Sequence, residues 1–97
     1  MKSIMQTERE CYICAKLGFH TYKNLEEHHF IPGTAKRRLC EADGLKAYLC
    51  EYHHREIHSA NSEWMNKLKQ EAQIRYMEYY GKSIDEFRSR YVKSYLT

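Results

Sequence analysis

The segment from residue 50 to residue 58 concentrates side chains that bind transition metals. It reads Cys-Glu-Tyr-His-His-Arg-Glu-Ile-His, and its four potential ligands are Cys50, His53, His54 and His58. Cys50 and His53 bracket a tight turn, which is the usual half of a four-ligand zinc site. On a helix, His54 and His58 lie one turn apart on the same face, so that two imidazoles can reach one metal. The segment therefore holds one half of each of two metal centres.

The amino-terminal third supplies two further pairs of ligands. One is the Cys-x-x-Cys pair Cys11 and Cys14, and the other is the adjacent pair His28 and His29. A Cys-x-x-Cys pair alone is ambiguous between zinc and redox chemistry, but a thioredoxin-like motif requires alternating strands and helices that this chain lacks. Two neighbouring histidines alone are most often surface residues without a role. Because two upstream pairs match two downstream halves, the sequence favours two metal sites.

Length and composition limit the kind of protein that this chain can form. The 97 residues suit one small domain, and 42% of them are hydrophobic, with nine tyrosines. Such a domain buries a limited fraction of its surface, and bound metal would compensate for a thin core. No window approaches the about 18 apolar residues of a membrane span, and residues 1–6 lack the apolar core of a secretion signal. We therefore expect one domain, residues 1–97, in the cytoplasm and not associated with a membrane.

Cysteine usage and charge indicate the partners. In a reducing compartment, four cysteines indicate metal binding rather than disulfides, and Cys40, outside the zinc scheme, is predicted to be a plain buried or loop thiol. The net charge of +3 permits contact with nucleic acid without requiring it. Three consecutive cations, Lys36, Arg37 and Arg38, are most often a solvated face. Beside a metal site, however, they are suited to hold phosphate oxygens.

Turn residues and alternation predict the elements that position the ligands. Residues 26–33 are predicted to form a strand that ends in a Pro-Gly turn, and residues 44–49 to form the second strand of a hairpin. Residues 34–43 are predicted to form a loop, and a helix is predicted from about residue 52 to residue 59.

Two helices are predicted in the carboxyl-terminal third. The first begins at a cap on Asn61 or Ser62 and ends before Gly81, and the second begins at a capping box from Ser83 to Glu86. Their aromatic stripes are predicted to be core rather than a platform for nucleic-acid bases. The positions predicted to be buried or to pack are Phe19, Tyr22, Leu25, Met65, Leu68, Ala72, Tyr76, Tyr79, Ile84, Phe87, Tyr91 and Tyr95.

The order of the ligands resembles a known family. In order they are Cys11-x-x-Cys14, His28-His29 and Cys50-x-x-His53-His54-x-x-x-His58. This order resembles the HNH endonucleases, or ββα-metal nucleases, in the subgroup that carries a structural zinc. The chain is also similar to small HNH-like proteins of phages and prophages, in the run Gly-Leu-Lys-Ala-Tyr-Leu-Cys and, more weakly, in its tail. In the family the last segment is often Cys-x-x-Cys-His-x-x-x-His, and here His53 stands for the second Cys.

The resemblance implies an α+β fold, in which a zinc-stabilised, treble-clef-like ββα-metal motif is followed by two helices. The motif would span residues 11–58 and the helical extension residues 59–97. The structural zinc would be closed and tetrahedral, with the ligands Cys11, Cys14, Cys50 and His53.

The resemblance also implies an open metal site formed by His28, His54 and His58. His29 would be the general base, although spacing alone does not distinguish the roles of His28 and His29. Three imidazoles suit Ni²⁺, Co²⁺, Zn²⁺ or Mn²⁺ better than Mg²⁺, which prefers oxygen ligands.

The activity implied is hydrolysis of DNA to 5′-phosphate and 3′-hydroxyl ends. His29 would take a proton from water, and Arg37 or Arg38 would add positive charge near the phosphate. The middle Asn of the family motif should fall near Leu45, where this chain has none, and Asp43 is the nearest replacement. The expected partner is DNA, without a small-molecule cofactor. The alternative is a non-catalytic zinc module that binds DNA or inhibits a host factor, with a phage or host protein as partner, whereas RNA binding through the tyrosines has no recognisable motif.

Overall fold

The computed structural model describes residues 1–96 as five helices and one two-stranded antiparallel sheet. In chain order the elements are α1 (Tyr12–Lys16), β1 (Leu25–His29), α2 (Thr34–Asp43), β2 (Lys46–Cys50), α3 (Glu51–Glu56), α4 (Trp64–Tyr80) and α5 (Ile84–Tyr91). The predicted α+β class is confirmed. The division of the chain at residue 58 stays a prediction.

The hairpin of β1 and β2 sets the positions of the two neighbouring histidines. His28 pairs with Ala47 and His29 pairs with Lys46 across the strands. Since successive side chains of a strand point to opposite faces, His28 is buried on one face whereas His29 lies half-buried on the other. The helix α3 begins directly after β2 and packs against both strands, which brings it over the sheet.

Residues 34–43 form the helix α2, so the predicted loop is wrong. Alanine, lysine, arginine and leucine favour helices, and the buried Cys40 fixes one face of α2 to the core. The helix ends at Gly44, which has a φ of 78° and donates its N–H to the carbonyl oxygen of Cys40. A Cβ at this position would lie 2.5 Å from the carbonyl oxygen of Lys2, so Gly44 also permits a close approach of the amino-terminal segment.

The carboxyl-terminal helices follow the predicted signals with small shifts at their ends. Both hydrogen bonds of the capping box join Ser83 and Glu86, and Gly81 ends α4 with a φ of 65°. At the start of α4, Ser62 accepts a hydrogen bond from the N–H of Trp64. The helix α3 ends earlier than predicted, so that His58 lies in the turn that follows it.

The core extends from the hairpin to the last helix. Its fully buried side chains include Ile13, Phe30, Ile31, Leu45, Leu49, Ile57, Leu68, Ala72, Phe87 and Tyr91. The prediction of burial is wrong for Phe19, Tyr22 and Tyr79, which are 66%, 60% and 50% exposed. Tyr80 packs inward in place of Tyr79, because its hydroxyl donates to the carbonyl oxygen of Asp43.

Asp43 joins α2 to α5. Its carboxylate accepts two hydrogen bonds from Arg90, at 2.6 and 2.8 Å, and one from the buried Tyr91 hydroxyl at 2.6 Å. These contacts raise the pKa of Arg90 and, together with burial, that of Tyr91. The carboxylate is therefore committed to the helix α5 rather than to the histidines of β1.

Candidate metal centre

Cys11, Cys14, Cys50 and His53 form a buried group whose ligand atoms all lie within 4.8 Å of one another. The Nδ1 atom of His53 is 3.3 Å from the Sγ of Cys14, 3.4 Å from that of Cys50 and 3.7 Å from that of Cys11. Tetrahedral zinc bonded to sulfur at about 2.3 Å and to nitrogen at about 2.1 Å requires its ligand atoms to lie roughly 3.6–3.8 Å apart. The spacing and the donor types fit a zinc ion.

Two turns from distant parts of the chain supply these ligands. Cys11 caps α1, and its Sγ accepts a hydrogen bond from the N–H of Cys14. Cys50 is the last residue of β2, and His53 lies in the helix that begins directly after it. Thr21, which the sequence did not indicate, donates a hydrogen bond from its hydroxyl to the Sγ of Cys14 at 3.2 Å. Such a contact orients a thiolate ligand.

The surroundings of the cysteines shift the pKa of Cys11 and the pKa of Cys14 in opposite directions. Burial acts to raise the pKa of Cys11, but hydrogen bonds from the backbone and the side chains of Cys14 and Cys50 together outweigh it and lower that pKa. Burial raises the pKa of Cys14 to about 11. A metal ion binds the deprotonated sulfur, so the group would release protons when it takes up zinc.

Cys40 lies outside this group, as the sequence predicted. It is a buried free thiol that donates a weak hydrogen bond to the carbonyl oxygen of Ile31. Burial raises its pKa to about 11. Cys40 therefore behaves as a small apolar core residue.

The second group of histidines is brought together between β1 and α3. The ring centroid of His28 lies 5.6 Å from that of His54 and 6.4 Å from that of His58, and the last two are 5.5 Å apart. Among residues 1–96, the nitrogen atoms of these three rings do not all lie within 4.8 Å of one another. The group is therefore looser than the cysteine-containing one.

His28 is the buried member of the group. Its Nε2 atom has no hydrogen-bond partner within the described part of the chain. Burial, with smaller contributions from His54 and His58, lowers its pKa to about 3. The ring is therefore neutral near pH 7, which is the form that binds a metal.

Glu26 is a contact of this group that the sequence reasoning missed. Its carboxylate oxygen lies 2.7 Å from the Nδ1 atom of His54. With Nδ1 donating to Glu26, the Nε2 atom of His54 carries the lone pair. The alternation of β1 was the available signal, because Glu26 stands two residues before His28 and so shares its face.

His29 does not join the other three histidines. Its Nε2 atom lies 2.6 Å from a carboxylate oxygen of Glu41, on α2, and 3.5 Å from one of Glu27. His29, Glu27 and Glu41 line a surface depression of about 440 Å³. Arg37 and Arg38 line the same depression. The structure thus brings the two arginines beside His29 but separates this cluster from the ring of His28.

Comparisons with known proteins provide no assignment. Known protein families, curated proteins and solved structures gave no match to this chain. Within residues 1–96, the helices are all too short or too polar to cross a membrane. The chemistry of the chain's own residues is therefore the basis for inferring its function.

Proposed function

We propose that this chain is a metal-dependent endonuclease of the ββα-metal, or HNH, type that hydrolyses phosphodiester bonds in DNA. The observation that carries the proposal is the buried, unpartnered Nε2 of His28, whose ring centroid lies 5.6 Å from that of His54 and 6.4 Å from that of His58. A buried polar atom without a partner costs about 1–3 kcal/mol. A divalent cation held by the three imidazoles would satisfy this atom. Such a cation could also act as a Lewis acid on a phosphodiester.

The two groups of ligands would have different roles. Cys11, Cys14, Cys50 and His53 would form a closed zinc site with four protein ligands, which stabilises the fold. His28, His54 and His58 would leave coordination positions open, where a bound Ni²⁺, Co²⁺, Zn²⁺ or Mn²⁺ supplies Lewis-acid chemistry to a phosphate. Glu26 would hold the ring of His54 in the orientation and tautomer that a ligand needs.

His29 would act as the general base. Its imidazole would accept a proton from a water molecule, whose oxygen forms a bond to phosphorus as the bond to the 3′ oxygen breaks. The departing 3′ oxygen then takes a proton from solvent, which gives 5′-phosphate and 3′-hydroxyl ends. His28 and His29 are the last two residues of β1, on opposite faces of the strand. A phosphate bound at the end of the strand would therefore lie near both side chains.

Arg37 and Arg38 would hold the DNA backbone beside His29. Both are exposed on α2 and line the depression that contains His29. Within residues 1–96 neither forms an ion pair, whereas Lys46 and Arg90 do. Unpaired guanidinium groups can bind phosphate oxygens in a bidentate manner.

A second candidate function is a zinc-stabilised module that binds a partner without cleaving it. The loop between α1 and β1 favours it, because Leu17, Phe19 and Tyr22 are more than half exposed there. Exposed apolar side chains that lie close together often mark a protein-binding surface. The partner would be a phage or host protein, or DNA, and binding without cleavage would support this candidate over the nuclease.

The test of the proposed function is a comparison of His58→Ala with His20→Ala. Both remove an exposed imidazole, but His20 pairs with Glu10 and lies outside both ligand groups. In zinc-loaded protein, His58→Ala should abolish plasmid nicking and weaken binding of the second metal in calorimetry, with the zinc content unchanged. His20→Ala should retain both properties. Loss of zinc from His58→Ala would show that the ligands are divided wrongly between the sites.

A further inference from the structure

We propose that Glu41 is the positioning residue for His29 in the cleavage reaction, an inference that rests on the proposed nuclease function. One carboxylate oxygen of Glu41 lies 2.6 Å from the Nε2 atom of His29. The other oxygen lies 2.6 Å from the ammonium group of Lys46. Glu41 is therefore held at both oxygens while it contacts the imidazole.

Three different elements converge on this contact. His29 ends β1, Lys46 begins β2 directly opposite it, and Glu41 projects from α2. The carboxylate thus bridges the two members of a cross-strand pair. The His29 side chain is only 11% exposed, so its ring has little freedom to leave this position.

The contact selects one tautomer of His29. A neutral imidazole has one N–H group and one lone pair. Because a carboxylate accepts hydrogen bonds, Nε2–H donates to Glu41 and the lone pair remains on Nδ1. The hydrogen bonds from Lys46 and His29 lower the pKa of Glu41 to about 2, so the acceptor stays ionised near neutral pH. Nδ1 is then the atom that takes the proton from water, and the hydrogen bond to Glu41 fixes the orientation of the ring.

No other side chain near this strand end is equally suited to orient the ring. Glu27 is 3.5 Å from the Nε2 atom of His29, which is too long for a strong hydrogen bond. Leu45, near which the family motif has its Asn, is fully buried and has an apolar side chain that cannot orient His29. Its carbonyl oxygen accepts a hydrogen bond from the N–H of Phe30, the residue after His29. The backbone therefore ties the strand end, and Glu41 orients the imidazole.

A metal ion held by Glu27, His29 and Glu41 is the competing explanation, since their ligand atoms lie within 4.8 Å of one another. Lys46 opposes it, because its ammonium group already occupies one oxygen of Glu41 at 2.6 Å. A cation at this point would meet that positive charge at close range. The cluster is better explained as a hydrogen-bonded chain from Lys46 through Glu41 to His29.

The experiment compares Glu41→Gln with the matched control Glu27→Gln in zinc-loaded protein. Both variants neutralise an exposed carboxylate near His29, but only Glu41 is within a strong hydrogen bond of it. Glu41→Gln should lower kcat for DNA cleavage by roughly 10- to 100-fold, with KM and the thermal midpoint unchanged. Glu27→Gln should leave kcat close to that of the wild type, because Glu27 makes no strong hydrogen bond to His29. In a His29→Ala background, Glu41→Gln should have no further effect on kcat, because it acts through His29.

A second readout does not depend on activity. In ¹⁵N NMR spectra of the neutral imidazole, the His29 proton should reside on Nε2 in the wild type and in Glu27→Gln, and should redistribute toward Nδ1 in Glu41→Gln. A wild-type proton on Nδ1 would overturn the positioning role whatever the cleavage data. If the wild type is active and Glu41→Gln has an unchanged kcat, the positioning role is overturned but the nuclease proposal is retained. An inactive wild type would overturn the nuclease and, with it, the role of Glu41 in catalysis.

Discussion

The Nδ1 atom of His53 lies 3.3 Å from the Sγ atom of Cys14, although 39 positions separate the two residues in the chain. This contact joins the turn of α1 to the start of α3 across the end of β2. A metal ion at this point would cross-link these segments. In small domains, such a cross-link supplies much of the folding free energy.

Removal of one zinc ligand should therefore unfold the protein. We expect the purified wild type to contain one zinc ion per chain by elemental analysis. Cys14→Ala should lose that zinc and its cooperative thermal transition, because structural zinc contributes about 10–16 kcal/mol in small zinc domains. Cys40→Ala removes a buried thiol outside the ligand group and should keep both. A folded wild type without zinc would contradict this prediction.

The contact between Asp43 and α5 should be important for stability but not for metal binding. Asp43→Ala leaves the buried hydroxyl of Tyr91 without its acceptor and should lower the free energy of unfolding by about 1–3 kcal/mol. The matched control is Asp85→Ala, which removes an exposed carboxylate paired with Arg88 and should cost less than about 0.5 kcal/mol. Urea unfolding measures both, and equal losses would refute the anchoring role of Asp43.

His28 should make the stability of the fold depend on pH. Its pKa is lowered from an ordinary 6.5 to about 3 by burial, so between these values the unfolded chain binds a proton that the folded chain does not. Stability should therefore fall as the pH falls below about 6.5, by about 1 kcal/mol between pH 7 and pH 5.5. His28→Phe should lose this part of the slope, whereas the exposed His20→Phe should keep it. The free energy of unfolding is measured by urea at pH 7 and at pH 5.5, without a second metal. Equal changes between the two pH values in the wild type and both variants would exclude the effect.

His29→Ala should separate the base from the metal ligands. The variant should keep both metals and its affinity for DNA, because His29 lies on the other face of β1 from His28. Cleavage should fall by about two to four orders of magnitude, the usual contribution of a positioned base. Metal content and cleavage rate are measured on the same sample. A loss of metal from His29→Ala would make His29 a ligand instead.

Local signals in the sequence were sufficient for several elements. Gly81 ends α4 in the left-handed conformation, and Ser83 with Glu86 forms the capping box of α5, because these caps depend on neighbouring residues alone. The cysteine-containing ligand group was also predictable, since its spacing reflects the geometry of zinc coordination. Each half of this group, like each cap, is encoded within a few residues.

Features that depend on contacts between distant segments were not predictable. The residues of α2 favour a helix, but the position of α2 against the core depends on the buried Cys40 and on Gly44. Phe19 donates its backbone N–H to the carbonyl oxygen of Cys14, and its ring is exposed. Glu41 lies on α2, which was predicted to be a loop, and His29 lies on the predicted strand β1. The contact between them therefore could not be predicted.

Cleavage of supercoiled plasmid and single-stranded DNA by the zinc-loaded wild type is the most direct measurement of the nuclease proposal. The protein is assayed with Mn²⁺, Ni²⁺, Co²⁺, Zn²⁺ and Mg²⁺ in turn, and the ends of the products are labelled enzymatically. We predict nicking that requires an added divalent metal, is weakest with Mg²⁺, and leaves 5′-phosphate and 3′-hydroxyl ends. No cleavage of either substrate with any of the five metals, in protein that is folded and contains zinc, would contradict the proposal.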